Sequence, residues 1–185
     1  PGTPFFHDQQ IREMQSERSE LERELYLQAL HKTASMSLIQ YEVSNFAKAD
    51  FQSRSNLKVW DGQPYLGLGC GAHSFDGVNR WGNVRSMRKY MESVGREEPP
   101  RDFMETPTRL QQASERLMLS LRRPEGLNIL SWQEEFQIGL SLEQKNQMEK
   151  LKDQDLVSWE SPILKLTTEG MLLADAITAE LMPEA

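Results

Sequence analysis

The stretch YLGLGCGAHSF, residues 65–75, decides how the rest of the chain is interpreted. Glycine alternates with leucine or cysteine in it, at positions Gly67, Gly69 and Gly71. Because successive residues of a strand face opposite sides, a strand here would present the three glycines on one bare face. Glycine weakens a strand interior, and its usual reason there is a bulge or the close approach of another backbone or a ligand. We therefore predict a glycine strand with something lying against its bare face.

The composition is that of an ordinary folded protein with an acidic balance. The 185 residues carry a formal net charge of −7, and after residue 104 only 8 basic side chains accompany 14 acidic ones. This charge disfavours non-specific binding to nucleic acid and to anionic lipid. The sequence shows no apolar run of membrane-spanning length and no basic-then-apolar leader, so we expect a cytoplasmic protein without a membrane span.

The cysteine content bounds the chemistry that this chain can perform. Cys70 is the single cysteine of the sequence. One thiol excludes an internal disulfide and fits a reducing compartment. It also excludes a zinc or iron–sulfur centre held by several cysteines of this chain.

Helix, strand and turn signals alternate along the first hundred residues. Residues 1–8 contain two prolines and a glycine, which predict a loop. The apolar spacing of residues 16–34 predicts an amphipathic helix, and the aromatic and branched residues of 39–48 predict a strand. A turn over residues 61–64 leads into the glycine strand, and residues 85–95 follow a second helical pattern with Met87 on its apolar face.

We place a domain boundary in the charged, proline-bearing connector of residues 96–107, which divides the chain into 1–100 and 101–185. The second part reads as three helices, two short strands separated at residues 161–162, and a closing helix that runs to about residue 181. This order predicts a winged-helix-like domain. The segment in the place of a recognition helix, residues 141–155, has a net charge of −1, so we expect no nucleic-acid binding.

Several motifs together resemble a known family. They are PGTPF at residues 1–5, YEVSNFAK at 41–48, NLKVWDGQPYLGLGCGAHS at 56–74 and LKLTTEG at 164–170. In this order they resemble the C-terminal half of the radical SAM proteins related to oxygen-independent coproporphyrinogen III oxidase, with the HemW-type haem chaperones as the closest branch. The resemblance implies an α+β fold that comprises the last helices and strands of a partial radical SAM barrel and a small winged-helix-like C-terminal domain.

The resemblance also implies a site. In the resembled proteins the glycine strand approaches S-adenosylmethionine, and this implies a cofactor wall built from Gly67, Gly69, Cys70, Gly71, Ala72 and His73. The residues implied on the substrate side are Tyr41, Glu42, Asn45, Asn56 and Trp60. The parent protein would hold S-adenosylmethionine and a [4Fe-4S] cluster, whose CxxxCxxC loop this sequence lacks, and would act on or carry a tetrapyrrole. We therefore expect the rear part of a longer protein, inactive alone, and the open alternative is that the glycines serve tight packing without a ligand.

Haem binding is less expected, because one motif departs from the resembled pattern. HemW-type members carry HNxxYW, and this sequence has Ser55 in the place of the histidine while Asn56 and Trp60 remain. Since a hydroxyl is a poor ligand of haem iron, we expect weak haem affinity. His7 and His31 read as surface residues, which leaves His73 as the histidine in a functional setting.

Other interpretations stay open at this point. One basic cluster, formed by Arg80, Arg85, Arg88 and Lys89, would either meet porphyrin propionates or form a solvated helix face, and we favour the solvated face. The chain as a whole would alternatively be a winged-helix protein-interaction or regulatory module without catalysis, or a stand-alone haem-binding module. The acidic helix disfavours nucleic acid as the partner of an interaction module. Ser55 disfavours a stand-alone haem-binding module. Whether the parent is an oxidase or a haem chaperone stays open.

Overall fold

Helix α1 (Gln9–Ser35) is the first element of the computed structural model, which describes the backbone of residues 9–183 and the side chains of residues 20–183. The helix predicted over residues 16–34 is confirmed, and it begins earlier than expected. It ends where Ser37 takes a left-handed conformation, with φ of 59°. The loop predicted for residues 1–8, with His7, lies outside the described residues. The chain divides into two units, Pro1–Gln52 and Ser53–Ala185.

A β-hairpin completes the first unit. Strands β1 (Ile39–Glu42) and β2 (Asn45–Ala47) pair antiparallel, with Ile39 opposite Ala47. The single strand predicted over residues 39–48 is therefore wrong. The physical reason is a side chain: the buried Glu42 carboxylate accepts a hydrogen bond from the Ser44 backbone N–H at 3.0 Å, which stabilises a tight turn. Strand propensity alone does not detect such a turn.

The second unit begins with a short helix and a three-stranded sheet. Helix α2 (Arg54–Trp60) was not predicted, although Ser53 caps it by accepting from the Asn56 N–H at 3.3 Å. The following elements are β3 (His73–Phe75), β4 (Arg80–Asn83), α3 (Met87–Gly95) and β5 (Arg101–Glu105). The strands pair antiparallel in the order β3-β4-β5.

Two sequence interpretations of this region need correction. Residues 66–72 form no strand, because Gly69 and Gly71 have φ of 101° and 71°, outside the conformations that a β-ladder uses. The connector expected at residues 96–107 is not a loop throughout, since β5 lies within it and pairs with β4. The division after residue 100 stays a prediction.

Helices dominate the rest of the chain. The elements are α4 (Arg109–Leu121), β6 (Leu127–Asn128), α5 (Ile129–Phe136), α6 (Leu142–Asp153), β7 (Val157–Glu160), β8 (Ile163–Leu166), α7 (Thr168–Leu172) and α8 (Ala174–Leu181). The three predicted helices and two strands are confirmed. The closing helix is interrupted at Leu173, and β6 adds a third strand in the order β6-β8-β7.

A single apolar core holds these helices and strands together. Fully buried Trp132 of α5 donates from Nε1 to the Ala113 carbonyl of α4 at 2.9 Å, so even its polar atom is satisfied. The core's other fully buried large apolar side chains are Leu121, Met148 and Leu164. Since α4, α5, α6 and β8 each contribute one of these side chains, the core ties the whole helical part together.

Arginines of β4, of α4 and of the turn after α4 connect the sheet to the helices. Arg80 of β4 forms ion pairs with Glu105 of β5 and Glu115 of α4. Arg123 pairs with the carboxylate of Asp61, and Arg116 donates to the Asp61 carbonyl at 2.9 Å. The end of α2 is thereby fixed against α4. Among the described residues, no helix has the length and apolar character needed to cross a membrane.

Candidate functional site

The candidate site is built around the glycine loop, defined here as residues 66–72. Two hydrogen bonds close its base: the Tyr65 N–H donates to the Phe75 carbonyl at 2.8 Å, and the Phe75 N–H returns the bond at 2.9 Å. The loop leaves one side of this base and rejoins the other at β3. It is therefore a protrusion supported by the sheet, and its shape depends on what holds it from inside.

The glycine N–H groups are directed into the protein. Gly67 donates to the hydroxyl of fully buried Ser74 at 2.9 Å, and Gly71 donates to the Val84 carbonyl at 3.0 Å. Gly69 donates to the hydroxyl of Tyr90 on α3 at 3.1 Å. The three donors that a ligand on the glycine side would use are thus already engaged within the chain.

The intervening residues carry the open groups of the loop. Within the described residues, the N–H groups of Leu68 and Cys70 have no hydrogen-bond partner, and both leucine side chains of the loop are exposed. Cys70 is a half-buried free thiol. A ligand lying over the loop would therefore meet the N–H groups of Leu68 and Cys70 and the space above Gly69.

Asn83, at the end of β4, fixes the loop from below. Its side-chain amide donates to the carbonyls of Gly67 at 3.3 Å and Gly69 at 3.0 Å, and its backbone N–H donates to the Ala72 carbonyl at 2.9 Å. The side chain is buried. Sequence reasoning missed this residue, because an asparagine after a short strand signals a turn as readily as a support.

The glycines differ in what requires them. A Cβ on Gly67 would lie 2.1 Å from the His73 carbonyl oxygen, so this position needs glycine for the approach of its own backbone. A Cβ on Gly69 would meet no atom within 4 Å, and one on Gly71 would meet only the Arg85 side chain at 3.8 Å. Close packing therefore accounts for Gly67, whereas Gly69 faces open space.

His73 lies on the edge strand of the sheet. Its exposed ring contacts the ring of Phe103 edge to face, with centroids 5.5 Å apart, across the strand position of Gly82. A Cβ on Gly82 would approach the Phe103 ring to 2.4 Å, so the missing side chain permits this contact. Ala72, beside His73, is half-buried. His73 is thus held by packing, with its ring accessible.

The predicted substrate-side residues fall into two groups. Tyr41, Glu42 and Asn45 belong to the hairpin of the first unit, where Glu42 supports the turn. Asn56 and Trp60 belong to α2 of the second unit, four residues apart on one helical face and both half-buried. Ser55 is exposed in the first turn of α2.

The basic cluster is not one surface. Arg80 lies in the sheet, where its bond to the Glu105 carboxylate at 2.5 Å raises the pKa of the guanidinium above its usual value, and the charge of Glu115 adds to this. Arg85, Arg88 and Lys89 are exposed, and Arg88 pairs with Glu92 one helical turn away at 2.9 Å. Three of the four cations are therefore on the solvated face that we favoured.

This chain does not fit an iron–sulfur cluster. Such a cluster is held by three or four thiolates, and Cys70 is the single cysteine of the sequence. In the part of the chain that the structure describes, no three His, Cys, Asp or Glu side chains are grouped so as to hold a metal ion.

Comparison with known proteins agrees with the motif resemblance. Over its whole length the chain is 29% identical to the heme chaperone HemW of Bacillus subtilis, and covers 48% of that protein. It is 31% identical over 142 residues to the heme chaperone HemW of Mycobacterium tuberculosis H37Rv, a match that covers 77% of this chain and 34% of that protein. No family model matches the chain.

A solved structure shows the same fold. The coproporphyrinogen III oxidase HemN of Escherichia coli, a radical SAM enzyme, superposes with a TM-score of 0.68 at 15% identity, over 84% of this chain and 39% of that one. The chain matches a part of the HemN/HemW group of radical SAM proteins. It spans about half the length of HemW from Bacillus subtilis. The predicted relationship is confirmed, and so is a mixed helix and sheet fold of the HemN kind, while the winged-helix assignment stays a prediction.

Proposed function

We propose that this chain forms one wall of the cofactor and tetrapyrrole site of a HemW-type radical SAM protein that acts in haem biosynthesis or haem transfer. The observation that carries the proposal is the match to a heme chaperone HemW over the whole chain. In the complete protein, S-adenosylmethionine and a [4Fe-4S] cluster would supply the radical chemistry. The residues of this chain would bind and orient the ligands, and the C-terminal helices, as a winged-helix-like domain, would cover the substrate side.

The glycine loop is the part of this chain that fits a cofactor. The space above Gly69 is open, and the N–H groups of Leu68 and Cys70 are free to donate. Asn83, Ser74 and Tyr90 hold the loop from inside, so a ligand would meet a surface that is already ordered. The candidate wall therefore comprises Gly67, Gly69, Cys70, Gly71, Ala72 and His73, with Gly67 in a packing role.

Haem would not be held at residue 55. Ser55 is exposed on α2 and offers a hydroxyl where HemW-type proteins carry an imidazole. Neutral imidazole is a strong axial ligand of haem iron, so we keep the prediction of weak haem affinity. Asn56 and Trp60 would line the substrate side of α2. We therefore propose that the tetrapyrrole is bound without an axial ligand from residue 55.

The test compares two glycines with nearly the same φ angle in the complete product of the gene that encodes this chain. Gly69 and Gly77 have φ of 101° and 99°, and neither position has an atom within 3.4 Å of an added Cβ. Gly69→Ala and Gly77→Ala therefore impose similar strain, but only the former places a methyl group above the loop. We expect Gly69→Ala to weaken S-adenosylmethionine binding by about tenfold or more in calorimetry, a change of about 1.4 kcal/mol.

Gly77→Ala is expected to bind S-adenosylmethionine like the unmodified protein, and melting temperatures of the two variants check that their folding is equally affected. Equal affinity in both variants would make the loop a structural feature, and the proposed cofactor wall would be wrong. Equal loss in both would attribute the effect to strain and would contradict the proposal as well.

A further inference from the structure

A cavity of about 220 Å³ lies beside the glycine loop on the face of the sheet that carries Trp81. The sheet provides Trp81 and Arg101, α3 provides Tyr90 and Val94, and the loop provides its two leucines. No residue predicted from the sequence as a site, apart from Gly67, lines it. Its lining combines an aromatic ring, a cation and apolar side chains, which is the composition of a ligand pocket.

The cation of this cavity is not neutralised. The Arg101 guanidinium lies over the Trp81 ring, 4.7 Å from its centroid. Within the described residues no carboxylate comes within 4.0 Å of it, and the one hydrogen bond of its side chain goes to the Met104 sulfur, at 3.6 Å. Arg80 of the neighbouring strand β4 is by contrast bound by two carboxylates. A guanidinium that is held by stacking and lacks a carboxylate partner is suited to an anionic ligand.

Two further polar groups of the cavity have unused capacity. Both amide hydrogens of Asn83 bond to loop carbonyls, so its Oδ1 is left as an acceptor without a partner among the described residues. The Tyr90 hydroxyl accepts from Gly69, and in the described part of the chain no acceptor binds its own hydrogen. Asn83 is 7% exposed and is one of the residues that line the cavity.

The walls expose apolar surface that a ligand would cover. Leu66 and Leu68 are 70% and 81% exposed, although both lie against the cavity. Adjacent exposed leucines beside a tryptophan form the kind of apolar patch that marks an interaction site. At about 220 Å³ the cavity is smaller than the ~300–1,000 Å³ usual for whole drug-sized ligands, so it takes only part of a larger molecule.

We propose that this cavity binds the carboxylate-bearing edge of a flat, apolar ligand. Arg101 pairs with the carboxylate, while Trp81, Leu66 and Leu68 cover the hydrocarbon stem that carries it. The identity of the ligand rests on the proposed function, under which it is a tetrapyrrole and the bound edge is a propionate. The carboxylate partner is then Arg101 of β5, in place of the exposed cations of α3.

The test uses this chain and two probes, coproporphyrin III and 3-phenylpropionate, which share a propionate but differ in the ring system. Porphyrin binding is followed by its fluorescence, and the weaker binding of 3-phenylpropionate by the NMR shift of the Trp81 indole N–H. Arg101→Gln removes the cation. Arg88→Gln is the matched control, because Arg88 is 78% exposed on α3 and does not line the cavity.

We expect Arg101→Gln to weaken both probes by about tenfold or more, whereas Arg88→Gln changes neither by more than about twofold. Arg101→Lys should recover part of the affinity, since it restores the charge without the planar stacking. Arg101 is exposed, so an unchanged melting temperature is the folding check.

The outcomes separate this inference from the proposed function. Binding of 3-phenylpropionate that depends on Arg101, with no porphyrin binding, supports the carboxylate cavity and contradicts the tetrapyrrole assignment. Porphyrin binding that is equal in the unmodified chain and in Arg101→Gln overturns the inference and leaves the tetrapyrrole role intact. No binding of 3-phenylpropionate also overturns the inference.

Discussion

Two regions of the second unit are stabilised by different forces. The helical region, residues 109–181, contains every buried apolar side chain of the unit that the structure describes except Pro107, and Trp132 is among them. The loop–sheet region, residues 53–105, buries no apolar side chain among the described residues and instead buries Ser74 and Asn83. Apolar burial contributes most of the folding free energy, whereas satisfied polar networks define a particular shape. The candidate site therefore lies in the region whose conformation depends on buried polar hydrogen bonds. The neighbouring helical region supplies the apolar burial that stabilises the fold.

The largest effect should come from the core. Trp132→Ala removes a fully buried indole and its hydrogen bond to Ala113, so we expect the free energy of unfolding to fall by about 3–5 kcal/mol. Leu130→Ala, on the same helix but 61% exposed, should change it by less than about 0.5 kcal/mol. Urea denaturation followed by circular dichroism measures both. A loss of under about 1 kcal/mol in Trp132→Ala would mean that the core is not where the stability resides.

An intermediate and local effect should come from the polar network. Asn83→Ala leaves the Gly67 and Gly69 carbonyls without their donor, and a buried group that loses its partner costs about 1–3 kcal/mol. We expect faster hydrogen exchange of the loop amides and unchanged protection in α4 and α5. Asn56→Ala is the control, since the Asn56 side chain makes no hydrogen bond within the described residues. Equal acceleration in both regions would show that they open as one and would remove the contrast.

The same contrast explains which elements the sequence predicts. In the helical region the apolar period of α4, α5 and α6 coincides with the core, and the strands β7 and β8 flank a Ser-Pro turn, so local patterns suffice. The interruption at Leu173 was missed, because Leu172, Leu173 and Ala174 all favour helix and give no local signal of a break. Local apolar periodicity is therefore sufficient to predict helices and strands where those elements pack against a buried core.

In the loop–sheet region the determining contacts are distant in sequence. Strand β5 forms because Phe103 pairs opposite Gly82, and the loop is shaped because Asn83 reaches back to Gly67 and Gly69. Neither contact leaves a local pattern. The apolar face of α3 was predicted correctly as a face, yet Met87 on it is exposed, since a pattern shows amphipathicity and not the presence of a partner.

The candidate site was predictable only in its most conspicuous part. The glycines were recognised from their spacing, whereas Tyr90, Trp81 and Arg101 were not predicted as site residues. These three side chains come from separate elements and meet at one cavity through the sheet order β3-β4-β5. The RWGN segment that contains Trp81 offered one signal, its glycine. Gly82 lies where the rings of His73 and Phe103 meet.

The smallest effect concerns the turn between β3 and β4, which is also stabilised by polar hydrogen bonds of the loop–sheet region. The Asp76 carboxylate accepts from the Asn79 N–H at 2.6 Å and from the Val78 N–H at 2.8 Å. These bonds, led by the one from Asn79, hold the pKa of Asp76 below its usual value of 3.8. Because the carboxyl is exposed, we expect only a small contribution to stability.

The sign of its pH dependence follows from that lowered pKa. Between the folded and unfolded pKa values the unfolded chain binds more protons, so the contribution of Asp76 is fully present above the unfolded value and is lost as pH falls through the folded value. Asp76→Asn keeps an acceptor but cannot ionise. We expect the unmodified chain to be slightly more stable than this variant at pH values above about 5, with the difference shrinking below about pH 4. Urea midpoints of both proteins measured at several pH values provide the test. A difference that stays constant down to about pH 3, or that grows as the pH falls, would show that the charge of Asp76 does not stabilise the turn.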